Sequence, residues 1–177
     1  MNARALVVLL RGVNVGGHRT FRPSELTKKL AHLDVVNIGA AGTFVVRKPM
    51  ARAKLRSEFA DRLPFDAEIV MCSGREILEL MSCRHFEGEP KGPDFVPFVS
   101  VCAKRPKAGP FIPLTLPSSG TWLIKILARD DPFVFGMYRR HIKAIGYLGT
   151  LDRLFGVPVT TRNWTTMNAI ASVLAKV

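Results

Sequence analysis

A chain of 177 residues with 47% apolar and 23% charged residues has the composition of an ordinary globular protein, which excludes intrinsic disorder. Its 26 Lys and Arg exceed its 14 Asp and Glu, a net charge of +12 that favours contact with polyanions without conferring sequence preference. The excess is uneven, with 14 basic against 10 acidic residues over 1–90 and 12 against 4 over 91–177, so the second half is the more basic.

The first apolar run, Ala5 to Leu10, is closed by Arg11. That is far short of the roughly 20 residues that cross a bilayer. It leads into Gly12-Val13-Asn14-Val15-Gly16-Gly17 rather than a cleavage site. We therefore expect a buried first strand, a cytoplasmic protein and no membrane partner. Cys72, Cys83 and Cys102 are odd in number and widely spaced, which argues for reduced thiols and against a disulfide framework.

After the glycine turn, Leu26, Leu30 and Leu33 follow Ser24 at helical spacing, with Ser24 as the expected N-cap. Val35–Ile38 and Thr43–Arg47 are expected strands joined through Gly39-Ala40-Ala41-Gly42. A helix is expected over 51–63, with Leu55, Phe59 and Leu63 on one face and Pro64 as its stop, then a strand over Ala67–Cys72. The order is β-α-β-β-α-β, the split arrangement of a ferredoxin-like unit. An added helix over Gly74–Cys83 completes a first domain, 1–88.

The region around Pro90, Gly92, Pro93 and Pro97 has the composition of a linker into a second domain, 89–177. There Phe95–Ala103 and Thr121–Leu127 are β-rich and are separated by Pro106, Pro110, Pro113 and Pro117. Phe133–Phe135 and Val157–Thr160 are further expected strands. Leu148–Phe155 is an expected short helix, and Trp164–Leu174 a closing helix that buries Met167, Ile170 and Leu174. The expected fold class is α+β, two ferredoxin-like units in one chain, although no sequence repeat relates the halves.

Three segments carry a family resemblance: Leu10-Arg11-Gly12-Val13-Asn14-Val15-Gly16-Gly17, the hairpin at Ala41-Gly42-Thr43, and Thr160-Thr161-Arg162-Asn163-Trp164-Thr165-Thr166. In these the chain resembles the family catalogued as domain of unknown function 1697. The resemblance implies two ferredoxin-like units and no established activity. The chain departs from the family pattern at Ala41 and Thr43, where Ser and Asn are usual, and at Thr165, where Asn is usual.

Candidate sites follow from the same residues. Backbone N–H groups of Gly12, Gly16 and Gly17 can cradle an anion, with Arg11 or Arg19 adding charge and Asn14 in the turn, or the glycines only permit a tight turn that Asn14 caps. Asn163 is placed to cap the closing helix, so Arg162 lies near a positive helix end that suits a bound carboxylate or phosphate, or else bonds within the protein while Trp164 packs. Our leading expectation is a binding module. In it Arg11, Gly12, Asn14, Gly16, Gly17, Arg162, Asn163 and Trp164 line one cleft for a phosphorylated small molecule or nucleotide.

The alternative is nonspecific nucleic-acid binding through Arg139, Arg140 and Lys143, near Tyr138 and Tyr147, extended by Lys104, Arg105 and Lys107. A solvated basic face explains the same residues. A third reading is an enzyme on a phosphorylated substrate, although His18, His32, His85 and His141 lack any marked triad. Cys83 and His85 belong to no Cys-x-x-Cys or His-Glu-x-x-His set, so neither metal nor cofactor is expected. Asp130-Asp131-Pro132 reads as a turn. The chain is expected to be a monomer or a homodimer.

Overall fold

The computed structural model describes residues 4–13, 20–48 and 50–176. The chain divides into two units, residues 1–82 with 165–177, and residues 83–164. No described helix is long and apolar enough to cross a membrane.

In the first unit, β1 (Leu6–Arg11), α1 (Pro23–Lys29), β2 (Val35–Asn37), β3 (Thr43–Val46), α2 (Arg52–Ala60) and β4 (Glu68–Ser73) precede α3 (Gly74–Leu80). The sheet order is β2-β3-β1-β4, every neighbour antiparallel. Because β1 is paired on both sides and buried on both faces, all its residues up to Leu10 are apolar. Leu6, Val8 and Leu10 share a core cluster with Leu26, Leu30, Phe44, Leu55 and Phe59, and the rings of Phe44 and Phe59 meet edge to face at 5.4 Å. The expected apolar stripes of both helices therefore face inward.

One local reading needs correction. Ser24 is not the cap of α1. The helix starts at Pro23, whose missing N–H is no loss at a first position, and the cap residue Arg22 makes no side-chain capping bond. Ser24 instead offers its carbonyl to the Thr27 hydroxyl at 2.8 Å. The stronger start belongs to α3, where the Ser73 hydroxyl accepts from the Glu76 N–H and the Glu76 carboxylate accepts from the Ser73 N–H, a reciprocal box.

The second unit contains β5 (Phe95–Cys102), β6 (Leu114–Leu116), β7 (Ile124–Asp130), β8 (Phe133–Arg139), α4 (Ile142–Leu148), α5 (Leu151–Phe155) and β9 (Val159–Asn163). Its sheet runs β6-β7-β8-β5-β9, again antiparallel throughout. The order β7-β8-β5-β9 repeats β2-β3-β1-β4. The first crossover departs from the expected plan: residues 103–123 hold no helix, and where α1 stands in the first unit a proline-broken segment adds the edge strand β6. Phe98 lies over Gly136, where a Cβ would sit 2.5 Å from its Cζ and 2.7 Å from the Lys125 carbonyl oxygen. Only glycine fits there.

The units divide elsewhere than at residue 88. Residues 83–88 join the second unit because His85 packs on Phe135 at 4.5 Å and bonds Asp130 at 2.9 Å, while Phe86 meets Phe135 and Trp164. The closing helix α6 (Trp164–Ala175) falls to the first unit from Thr165 onward. Its Met167, Ile170 and Leu174 are fully buried. All three cysteines are free, and burial pushes the thiols of Cys72 to about 12 and Cys102 to about 11.

Candidate functional site

The segment that replaces a crossover helix in the second unit is tied down at three points. As it leaves β5, the Ala103 N–H bonds the Pro158 carbonyl at 2.8 Å. Arg129, on β7, donates from Nη2 to the Pro106 carbonyl at 3.0 Å and also bonds Asp131. Arg105 reaches the same carboxylate from the segment itself at 3.0 Å. The Arg129 hydrogen bonds, helped by Arg105, hold the Asp131 carboxyl below its ordinary range, and the same bonds raise the Arg129 pKa. At Gly109 a Cβ would lie 2.9 Å from Arg129 Nη1 and 3.5 Å from the Phe155 ring, so the missing side chain lets the segment close on β7 and α5.

The result is a cavity of about 660 Å³, within the range of small-molecule sites. Lys104, Arg105 and Lys107 line one part and Arg153 of α5 another, over apolar ground from Pro110, Leu154, Phe155 and Val157. Its described lining contains four cations and no carboxylate, imidazole or thiol. Asp152, the acid nearest in sequence, accepts the Val159 N–H at 2.9 Å. Such a lining attracts anions, and its apolar ground suits a ligand with a hydrophobic part.

The remaining basic residues are disposed differently. Arg139 pairs with Phe95 at one end of β5, whereas Lys104 follows its other end, roughly 23 Å along the strand. One basic surface combining 139–143 with 104–107 is therefore split. Arg139 lays its guanidinium over the rings of Phe95 and Trp122, 4.9 and 4.7 Å from their centroids. Arg140 donates to the Pro93 carbonyl at 2.6 Å. The Lys143 N–H bonds His141 Nδ1 at 3.2 Å, as the capping bond of α4.

In the first unit, Arg11 ends β1 opposite Glu68 and pairs with it at 3.5 Å. Gly12 has φ of 65°, while Asn14, Gly16 and Gly17, with His18 and Arg19, lie outside the described residues. Gly42 at φ of 67° would place a Cβ 2.7 Å from Val13 and 2.8 Å from Leu10, and its carbonyl accepts the Leu10 N–H. The first two family-like segments are thus packed on one another. A second cavity, of about 510 Å³, is lined by Arg22, Lys29 and Arg62, but Arg22 pairs with Glu25 and Arg62 with Glu58.

Arg162, on β9, is only 7% exposed, and its Nη1 donates to the Thr160 hydroxyl at 3.0 Å and the Thr161 carbonyl at 2.8 Å. Burial lowers its pKa to about 10, so the guanidinium keeps its charge at neutral pH. Asn163 ends β9 and Trp164 begins α6, with the Trp164 ring against Phe86 at 4.9 Å. His85 and Asp130 form a bonded pair that sequence reading missed, since 45 residues separate them. Burial raises the nearby Cys83 thiol, which keeps it protonated. Among the described residues no group of three His, Cys, Asp or Glu is placed to hold a metal ion.

A family model described as Protein of unknown function (DUF1697) matches residues 3–119. No curated protein matches the chain. Among solved structures the chain is similar to conserved bacterial protein SP0830 from Streptococcus pneumoniae, at 17% identity over 96% of this chain and 98% of that one, with a TM-score of 0.62. At this identity the likeness shows the fold alone.

Proposed function

We propose that this chain, which belongs to the DUF1697 family of proteins of unknown function, is a binding module for a phosphate-bearing ligand, held at the cationic cavity of its second unit. The observation that carries this reading is four cations over an apolar floor with no acid among the described lining. Among the described residues only Arg105 of the four is paired with an acid, Asp131, and cations around a concavity gain most from an anion that several N–H donors reach at once. A lining without imidazole, carboxylate or thiol favours binding over catalysis. Both sheets read as ferredoxin-like plaits on this view, supported by the shared order β2-β3-β1-β4 and β7-β8-β5-β9. A cytoplasmic address is supported by three free cysteines.

The test is a thermal-shift series on wild type, Lys107→Ala and Arg153→Ala with pyrophosphate, sugar phosphates and nucleotides. A ligand that binds only the folded state raises its melting temperature by mass action. We expect stabilisation of wild type that is reduced in both variants. Equal shifts in all three proteins, or none in any, overturn the assignment.

A second reading places the anion at Arg162, favoured by a buried guanidinium that is still charged at the entry to α6. It predicts that Arg162→Ala, rather than the cavity variants, removes the response.

A further inference from the structure

We infer that the phosphate-bearing ligand is single-stranded nucleic acid, with the ring of Phe111 serving as a platform on which one base stacks beside the cavity. This inference rests on the cavity being an anion site. It starts from an exposure the fold does not explain: Phe111 is 100% exposed, the most exposed of the large apolar side chains. An aromatic ring wholly in water contributes nothing to folding, yet the chain on either side of this one is anchored. Pro110 lines the cavity, and Ile112 packs on the apolar cluster that includes Phe98, Ile126 and Phe155. Phe111 is thus displayed between two fixed neighbours, one Cα–Cα step of about 3.8 Å from the cavity lining.

The charges beside it match a phosphodiester backbone. Arg105 is engaged by Asp131, but Lys104, Lys107 and Arg153 have no ion-pair partner among the described residues. These cations come from two separate segments, 104–107 and α5, so they suit charges distributed along a strand better than charges gathered at one end of a mononucleotide. Single-strand binders combine these two elements, a cationic track for phosphates and an aromatic face for bases. A duplex does not satisfy the second element, because its bases are already stacked on one another.

Fluorescence anisotropy with labelled ten-nucleotide DNA and RNA tests this. The unaltered chain is compared with Phe111→Ala, Phe111→Trp, Lys107→Ala and Arg153→Ala, with duplex DNA, sugar phosphates and inorganic polyphosphate as competitors. We expect Phe111→Ala to weaken single-strand binding by about tenfold or more, the effect of losing one base stack. Phe111→Trp should keep the affinity, and polyphosphate should bind wild type and Phe111→Ala equally. Lys107→Ala and Arg153→Ala should flatten the salt dependence of binding, whereas Phe111→Ala should leave its slope unchanged.

Phe111→Ala within twofold of wild type, or duplex competing as well as the single strand, overturns the inference. Because Phe111 buries nothing, misfolding does not explain a loss in that variant. If polyphosphate or sugar phosphates bind through Lys107 and Arg153 while oligonucleotides do not, the nucleic-acid inference fails and the anion site stands. If no phosphate compound binds, both fall.

Discussion

Two arginines of the second unit converge on one carboxylate, and the pH response of that carboxylate is an observable of the candidate site. Asp131 accepts from Arg129 and Arg105, which holds its folded-state pKa below the ordinary 3.8. A group depressed in this way stabilises the fold fully above its unfolded pKa and loses that contribution as pH falls through the folded one. Asp131→Asn should therefore melt earlier than wild type at neutral pH, with the gap closing below about pH 3.8, as a set of melting curves between pH 2 and 7 would show. Arg139 makes the opposite case for a basic residue. Its guanidinium covers Phe95 and Trp122, and its buried Nε has no hydrogen-bond partner among the described residues. We expect Arg139→Ala to lower stability by about 1 kcal/mol in urea denaturation, the scale of a cation–π contact. Polyphosphate affinity should be unchanged.

At the scale of elements, legibility in the sequence followed burial. The apolar run of β1 and the stripe of Leu55 and Phe59 in α2 are visible because each is buried where its periodicity says. Helix α4 was missed for the converse reason: Ile142 and Ile145 are 77% and 62% exposed, so its most apolar residues face water and mask the short inward stripe of Ala144, Tyr147 and Leu148. Strand β8 was expected to end at Phe135. Gly136 and the basic Arg139 obscured its continuation to Arg139, although the glycine is there because Phe98 occupies the space of its side chain. Gly136→Ala should shift the urea midpoint by an amount equivalent to about 1–3 kcal/mol, the usual penalty for overpacking a core. Adding Phe98→Leu should recover part of it. The cavity was half legible: Lys104, Arg105 and Lys107 stand together in the sequence, but Arg153 and Phe155 arrive only when α5 folds against them.

For the whole molecule, chain order and unit membership part company at the C-terminus. The sequence pattern of α6 showed which side it buries, and Met167, Ile170 and Leu174 are indeed fully buried, but a periodic stripe does not name its partner. The helix belongs to the unit built from residues 1–82. A chain ending at Trp164 should accordingly lose protection in β1 and β3 before β5 and β8, which amide hydrogen exchange resolves by segment. Loss starting in the second sheet would contradict that membership.

The three-residue strand β6 has a bearing on solubility. It forms one margin of the five-stranded sheet, with Pro113 immediately before it and Pro117 immediately after. A proline has no N–H to donate, so a foreign strand arriving at this margin meets at most three residues able to pair before the ladder is interrupted on both sides. Short, proline-bracketed margins are among the devices by which sheets avoid templating fibrils or adding strands from neighbouring copies. The segment that shapes the candidate site thus also guards one margin of its sheet against strand addition from a neighbouring copy.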